Sequence, residues 1–287
     1  MMKKEHFNVV GSGIAGSLVA RMLRKYGHDV TVFDREDDYS ASQASSNLVL
    51  RNWLTKFNPR AVKAGLEVLD DLGLKYERPF SFGIASAANV VRYPNEQILV
   101  EYKYGVVTEL SGDGLYYWDR DGSRCFSGGR TILCCGHLAA ELLPSLEEKL
   151  SVKVGHCVFY HGKLPGGKGT LKVHSPYKHA KLFQYAPNLI YFADSLAVSG
   201  KTFLDKSDHY RALLKQRGEE ALEDAGVTEK LEIARILIGI RPFIEGHPFG
   251  LVYKRTNNIW AVNGGGKSGI VAYAYQAARL MGALQCM

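Results

Sequence analysis

Gly11-Ser12-Gly13-Ile14-Ala15-Gly16 has the spacing G-x-G-x-x-G. A glycine at the first position permits a tight turn. One at the second lets backbone approach a pyrophosphate, and one at the third lets a helix pack close to a strand. A helix opening at Ile14 and Ala15 would aim free N–H groups and the positive end of its dipole at the phosphates. Asp34 lies where a carboxylate can accept hydrogen bonds from an adenosine ribose, and Arg35 follows it. The chemistry in view is dinucleotide binding. The motif alone does not separate a nicotinamide from a flavin dinucleotide.

The elements around the motif fit this use. Phe7–Val10 reads as a buried strand. Ile14–Tyr26 reads as a helix with Ile14, Leu18 and Met22 on one face and Gly27 at its C-terminus. Val30–Phe33 is a second apolar strand. Strand, glycine turn, helix and strand make a βαβ unit, whose crossover implies a parallel sheet. Ser40–Asn47 is a polar loop of small residues, and Ala61–Leu72 a helix ended by Gly73. Phe80–Asp119 is mostly strand-like, with turn signals at Ser111–Gly114 and Asp121-Gly122. Thr131–Cys135 is a short strand that stops at Gly136, and Leu138–Leu143 looks helical. Val152–Phe192 alternates strand-like runs with Gly and Pro breaks. His209–Ala225 is a charged surface helix. Ile259–Val262 is a last buried strand before Gly264-Gly265-Gly266 and a helix from about Ser268 to Ala283. The order predicts an α/β fold. A Rossmann-type dinucleotide domain (1–75 with 105–150 and 232–287) is interleaved with a smaller β-rich substrate domain (76–104 with 151–231).

Bulk composition bounds the class. The 287 residues are 46% hydrophobic and 23% charged, enough apolar material for a sizeable core. Five cysteines, an odd number with no C-x-x-C pair, argue against a disulfide framework and for a reducing compartment. A polar N-terminus that runs straight into a strand leaves no room for a signal peptide. No uncharged apolar run approaches the ~18 residues that suggest a membrane span. A cytoplasmic protein without a membrane partner is expected. The sequence leaves the oligomeric state open. The histidines show no metal spacing, so no metal is expected. Cys134-Cys135 reads as core packing rather than reactive thiol.

Five further segments resemble, in order, the D-amino-acid-oxidase-like flavoprotein superfamily, especially glycine oxidase, sarcosine oxidase and the oxidase domain of the tRNA-modifying enzyme MnmC. Ala41-Ser42-Gln43-Ala44-Ser45-Ser46-Asn47 looks like the family's Ala-Ser loop beside flavin and diphosphate. Val106–Leu110 resembles the strand whose backbone meets adenine. Thr131–Gly136 resembles the strand-to-glycine motif under the FAD. Gly239-Ile240-Arg241-Pro242 resembles the G-x-R-P motif, and Asn263–Ile270 the C-terminal flavin motif. The resemblance implies FAD as cofactor. It adds Ser42, Asn47, Leu48, Val107, Cys135, Gly136, Gly264, Gly265, Gly266, Lys267, Ser268, Gly269 and Ile270 to its binding residues. It also implies that Arg241 grips a substrate carboxylate. Lys267 stands where glycine oxidase carries arginine. It keeps the charge and loses the planar fork, so a two-arginine clamp is in doubt.

The implied activity is FAD-dependent oxidation of the C–N bond of a glycine-type amine. Between Ser151 and Lys206, eight lysines (153, 163, 168, 172, 178, 181, 201 and 206) face two aspartates (194 and 205). Phe159, Tyr160, Tyr177, Phe183, Tyr185, Tyr191 and Phe192 lie among them. Two readings stand. The segment is a nucleic-acid surface, with glyoxylate released from a modified base as in MnmC. Or it is a sheet with lysines outward and rings inward. The competing functions are a flavin monooxygenase and a non-catalytic FAD-binding partner subunit.

Overall fold

The computed structural model describes residues 3–37, 40–50, 54–55, 58–77, 90–167, 170–172, 180–193, 198–199, 207–266 and 269–286. The elements run β1 (His6–Val10), α1 (Ile14–Lys25), β2 (Asp29–Asp34), β3 (Leu48–Leu50), α2 (Pro59–Asp71), β4 (Val90–Arg92), α3 (Asn95–Ile98) and β5 (Lys103–Tyr104). A three-stranded meander follows: β6 (Val106–Ser111), β7 (Gly114–Trp118) and β8 (Arg124–Gly128). Then come β9 (Arg130–Leu133), α4 (Ala139–Leu142), β10 (Leu150–His161), β11 (Thr170–Lys172), β12 (Ala180–Ala186), β13 (Leu189–Ala193) and β14 (Val198–Ser199). The chain continues with α5 (Ser207–Asp224), β15 (Ile233–Ile244), β16 (Leu251–Lys254), β17 (Ile259–Asn263) and α6 (Gly269–Gln285).

The first sheet has the order β16-β17-β9-β1-β2-β5. β17, β9, β1, β2 and β5 are parallel, and β16 closes the edge antiparallel. The parallel strands come from both halves of the chain, as the βαβ reading requires. On one face α1, α2 and α6 bury a continuous apolar core that includes Phe7, Leu18, Leu23, Leu69, Trp260 and Leu280. Complete burial of a leucine such as Leu18 or Leu23 stabilises the fold by roughly 1.5–3 kcal/mol. The opposite face is covered by the meander and α4 through Phe33, Leu115, Tyr117, Leu133 and Leu143. Asn58 caps α2 by accepting from the Ala61 N–H at 3.0 Å, and Pro59 presets its first turn.

The second sheet is antiparallel, with β11-β12-β13-β10-β14 in order and β15 on the other side of β10. α5 packs one face through Leu214 and Leu222 against Val158, Tyr160 and Phe192. The other face buries Cys157, Phe159, Phe183 and Tyr191 against Ala44.

Sequence and structure differ in two places here. The expected domain boundary at 232 falls just before β15, yet β15 pairs with β10 from Leu150 to Tyr160 and so belongs to the second sheet. Pro242 in that run resembles a strand breaker. It lies at the rim of this sheet, where β15 is the outermost strand of the ladder. The strand-like reading of 80–119 also missed α3, a single turn too short for a 3.6-residue period to show. Residues 78–89 of that run lie outside the described residues.

Candidate functional site

One cavity of about 460 Å³ runs along the C-terminal ends of β1, β2 and β9 and reaches β15 and the start of α6. This is where an open parallel sheet accepts ligands. Its first wall is the glycine turn. Gly11 has φ +103°, and a Cβ there would sit 2.7 Å from the Cys134 carbonyl oxygen. A Cβ on Gly13 would come within 2.7 Å of Ser42 Oγ, and one on Gly16 within 1.8 Å of the Gly11 carbonyl oxygen. Gly11, Gly13, Ile14 and Ala15 line the cavity. Gly16 does not. It acts from behind, by letting α1 press onto the turn. The first turn of α1 carries no acidic residue and its N-cap, Gly13, supplies no side-chain cap, so the positive end of the helix faces the cavity.

Asp34 holds the next stretch of wall. One carboxylate oxygen accepts from the Ser12 N–H at 2.6 Å and from the Ser12 hydroxyl at 2.7 Å. The other accepts from the Glu36 N–H at 2.7 Å. Asp34 thereby ties the end of β2 to the glycine turn while lining the cavity. Across from it, Ser42 Oγ accepts from the Ile14 N–H at 2.9 Å, so the polar loop lies over the helix N-terminus. Val107, Cys135 and Gly136 complete the region, Gly136 at φ +60°.

A charged group edges the same end. Arg35 lies 3.4 Å from Asp37 and 3.7 Å from Glu141, and His137 is 3.9 Å from Asp37. Burial lowers the His137 pKa, with Asp37 opposing. Burial pushes the Cys135 thiol up to about 12 and raises Cys134 well above the ordinary thiol range, so both are neutral thiols rather than nucleophiles.

The far end of the cavity is set by β15. Ile240 bridges to Ser40, and Phe243 bridges to Gly265. The strand is thus clasped by the polar loop on one side and the C-terminal glycine segment on the other, with Arg241 between the two clasps. Arg241 is half-buried and lines the cavity with Ile240 and Pro242. Among the described residues no carboxylate pairs with it. Cys157 and Tyr191 lie close enough to feel its charge, although burial dominates both and pushes the Cys157 thiol up to about 12.

The C-terminal segment departs from expectation in part. Gly266 and Gly269 reach the cavity, but Gly264 and Gly265 do not. Their missing side chains make room for protein: a Cβ on Gly264 would sit 2.6 Å from Ile244 and one on Gly265 2.7 Å from the Tyr273 ring. Ile270 is turned into the core. Asn47 and Leu48 also miss the cavity. Asn47 takes φ +50° and donates its side-chain amide to Asn95, and Leu48 starts β3. Lys267 and Ser268 lie outside the described residues.

Tyr273 was absent from the expected set. Its ring lines the cavity and its hydroxyl accepts from the Gly265 N–H at 3.2 Å. Four residues beyond Gly269 on a helix, it occupies the same face one turn on, a spacing that could have found it. His137 was missed too, although it directly follows Gly136. Of the lysine-rich segment, Lys153 and Lys163 are exposed, and Lys168, Lys178, Lys201 and Lys206 lie outside the described residues. Phe159, Tyr160, Phe183, Tyr191 and Phe192 are buried, so these rings serve the core and not base stacking. Among the described residues no cluster of His, Cys, Asp or Glu is arranged to hold a metal, and no helix is long and apolar enough to cross a membrane.

The residues present fit a flavin dinucleotide. The glycine turn excludes any side chain, the helix N-terminus faces the cavity, and a carboxylate stands at the end of β2. Comparison with known proteins agrees. Residues 7–90 match the family model for FAD dependent oxidoreductases of the DAO type. A 55-residue stretch is 49% identical to a kynurenine 3-monooxygenase of Christiangramia forsetii, covering 18% of this chain and 12% of that protein. The match is thus local, spanning about an eighth of the curated relative's length. Among solved structures, iminodiacetate oxidase from a Chelativorans species superposes with a TM-score of 0.68 at 14% identity, covering 97% of this chain and 95% of the other. Glycine oxidase from Geobacillus kaustophilus superposes with a TM-score of 0.61 at 15% identity, covering 98% and 95%. At such identities the superpositions speak for the fold, and the family match, confined to residues 7–90, speaks for FAD as the cofactor.

Proposed function

We propose that the chain oxidises the C–N bond of a glycine-type amine, with Arg241 holding the substrate carboxylate. The observation that carries this reading is the half-buried Arg241 guanidinium, which lines the cofactor cavity without an acidic partner among the described residues. A guanidinium so placed can meet a planar anion through two parallel N–H donors. Gly11, Gly13, Ile14, Asp34 and Ser42 would hold the dinucleotide, and bound FAD supplies the acceptor for two electrons. Arg241 orients the substrate so that the methylene between carboxylate and nitrogen faces the cofactor. Loss of hydride from that carbon leaves an imine, which water hydrolyses to glyoxylate and the freed amine. The neutral Cys135 thiol takes no part as a base.

The substrate's nitrogen substituent is read from the lysines. Between 151 and 206 their excess over aspartate would favour a polyanion, such as a nucleic acid carrying a carboxymethylaminomethyl base. Among the described residues five of the seven rings are buried, so charge carries most of that reading. Lys267 would add positive charge near the carboxylate. The oxidase domain itself is expected to act without a metal.

The test is anaerobic titration of the flavin absorbance with glycine, sarcosine, D-alanine and a nucleic acid carrying the modified pyrimidine. Bleaching by a free amine supports a small-molecule oxidase, and bleaching by the polymer alone supports a base-modifying enzyme. No bleaching by any of them, with NAD(P)H-dependent oxygen use instead, would replace the reading by a monooxygenase. Bound flavin that no donor reduces would point to a non-catalytic subunit.

A further inference from the structure

Gly155 on β10 lies beneath Arg241. Its cross-strand partner is Gly239, so Arg241 stands two residues along on the same face, opposite Lys153. A Cβ built on Gly155 would meet the Arg241 Cζ and one terminal nitrogen, each at 2.8 Å, and Nε at 3.2 Å. Three atoms of one guanidinium at such range mean that its flat face rests on the glycine. The position has no backbone reason to be glycine, because Gly155 is absent from the residues with positive φ. It lies in the interior of a long strand, where glycine is a poor choice and weakens pairing. Gly239, by contrast, is kept small by Ala41 and Ala44.

We propose that Gly155 is a positioning residue for substrate: its bare Cα is the floor that lays the Arg241 guanidinium flat, leaving the N–H edge for a carboxylate. The inference rests on the carboxylate role assigned to Arg241. Its content is steric. The atoms that a Cβ would strike belong to the far end of a flexible side chain, so in Gly155→Ala the guanidinium moves and the strand does not. The variant keeps its fold and its flavin and loses its aim.

The experiment uses flavin-loaded protein and acetate as the carboxylate probe, with binding read from the shift in flavin visible absorption. Melting temperature is measured in parallel. G155A is expected to weaken acetate binding about tenfold or more, the range for losing a charge-assisted hydrogen bond. Its melting temperature should match or exceed that of the unchanged protein. In an R241A background the same substitution should change acetate binding by less than twofold. Unaltered acetate binding in G155A overturns the proposal, as does failure of G155A to fold, because the arginine would then not be the part that yields. An R241A protein that binds acetate normally would instead refute the role of Arg241 and leave the packing of Gly155 unexplained by substrate.

Discussion

The two ends of the cavity are built from different materials. The dinucleotide end is backbone: a turn at Gly11, a helix end at Gly13 and Ile14, and a carboxylate tied to main-chain amides. The end proposed for substrate is one side chain, Arg241, aimed by strand register and by what lies under it. Backbone cannot move aside, so the first end is intolerant of any added atom. A side chain can swing, so the second is tolerant in structure and intolerant in function.

The contrast is broken most severely at Gly16. A methyl there would have to share space with the Gly11 carbonyl oxygen at 1.8 Å, so Gly16→Ala should cost on the order of 3 kcal/mol and yield protein without flavin. Yellow protein of normal stability would show that the turn can relax. Next in size, Arg241→Ala should raise KM for a carboxylate amine by about 10- to 100-fold while flavin binding and melting temperature stay unchanged. An equal loss of flavin would erase the distinction between the ends. Asp34→Ala should weaken FAD binding by about tenfold, in line with lost hydrogen bonds to a charged group, without altering KM for the amine in flavin-saturated protein.

The smallest effect concerns His137. Burial lowers its folded pKa below the ordinary 6.5, so the neutral ring is the folded form. Its contribution to stability is complete above pH 6.5 and is lost as the pH falls through the lower folded value. The unchanged protein should therefore lose more melting temperature than His137→Gln as the pH falls from 6.5 to that lower value. Parallel pH profiles would remove His137 from the account.

The same difference explains what could be read from sequence. Gly11, Gly13, Gly16 and Asp34 were legible because backbone geometry permits few residue types at each place. The flanking strands and helix were legible from apolar period alone. Gly264 and Gly265 were legible as small positions, and the structure adds protein atoms that require them to be so. Sequence shows that a side chain is missing, not whether a ligand or the Tyr273 ring fills the space. Asn47 and Leu48 were carried along by the loop that contains Ser42, and only coordinates show that Asn47 turns to Asn95. The membership of β15 was hidden because pairing with β10 is a contact between distant parts of the chain, which no local pattern records.

β15 is pinned at Ser40↔Ile240 and again at Phe243↔Gly265, and paired with β10 along most of its length. Side chains alternate along a strand, so a shift of one residue would turn Arg241 to the opposite face and leave both pins mismatched. Drift in this lineage can therefore alter the letters of 233–244 far more freely than their number. Single-residue insertions or deletions between the two pins would be purged even where every individual substitution is accepted.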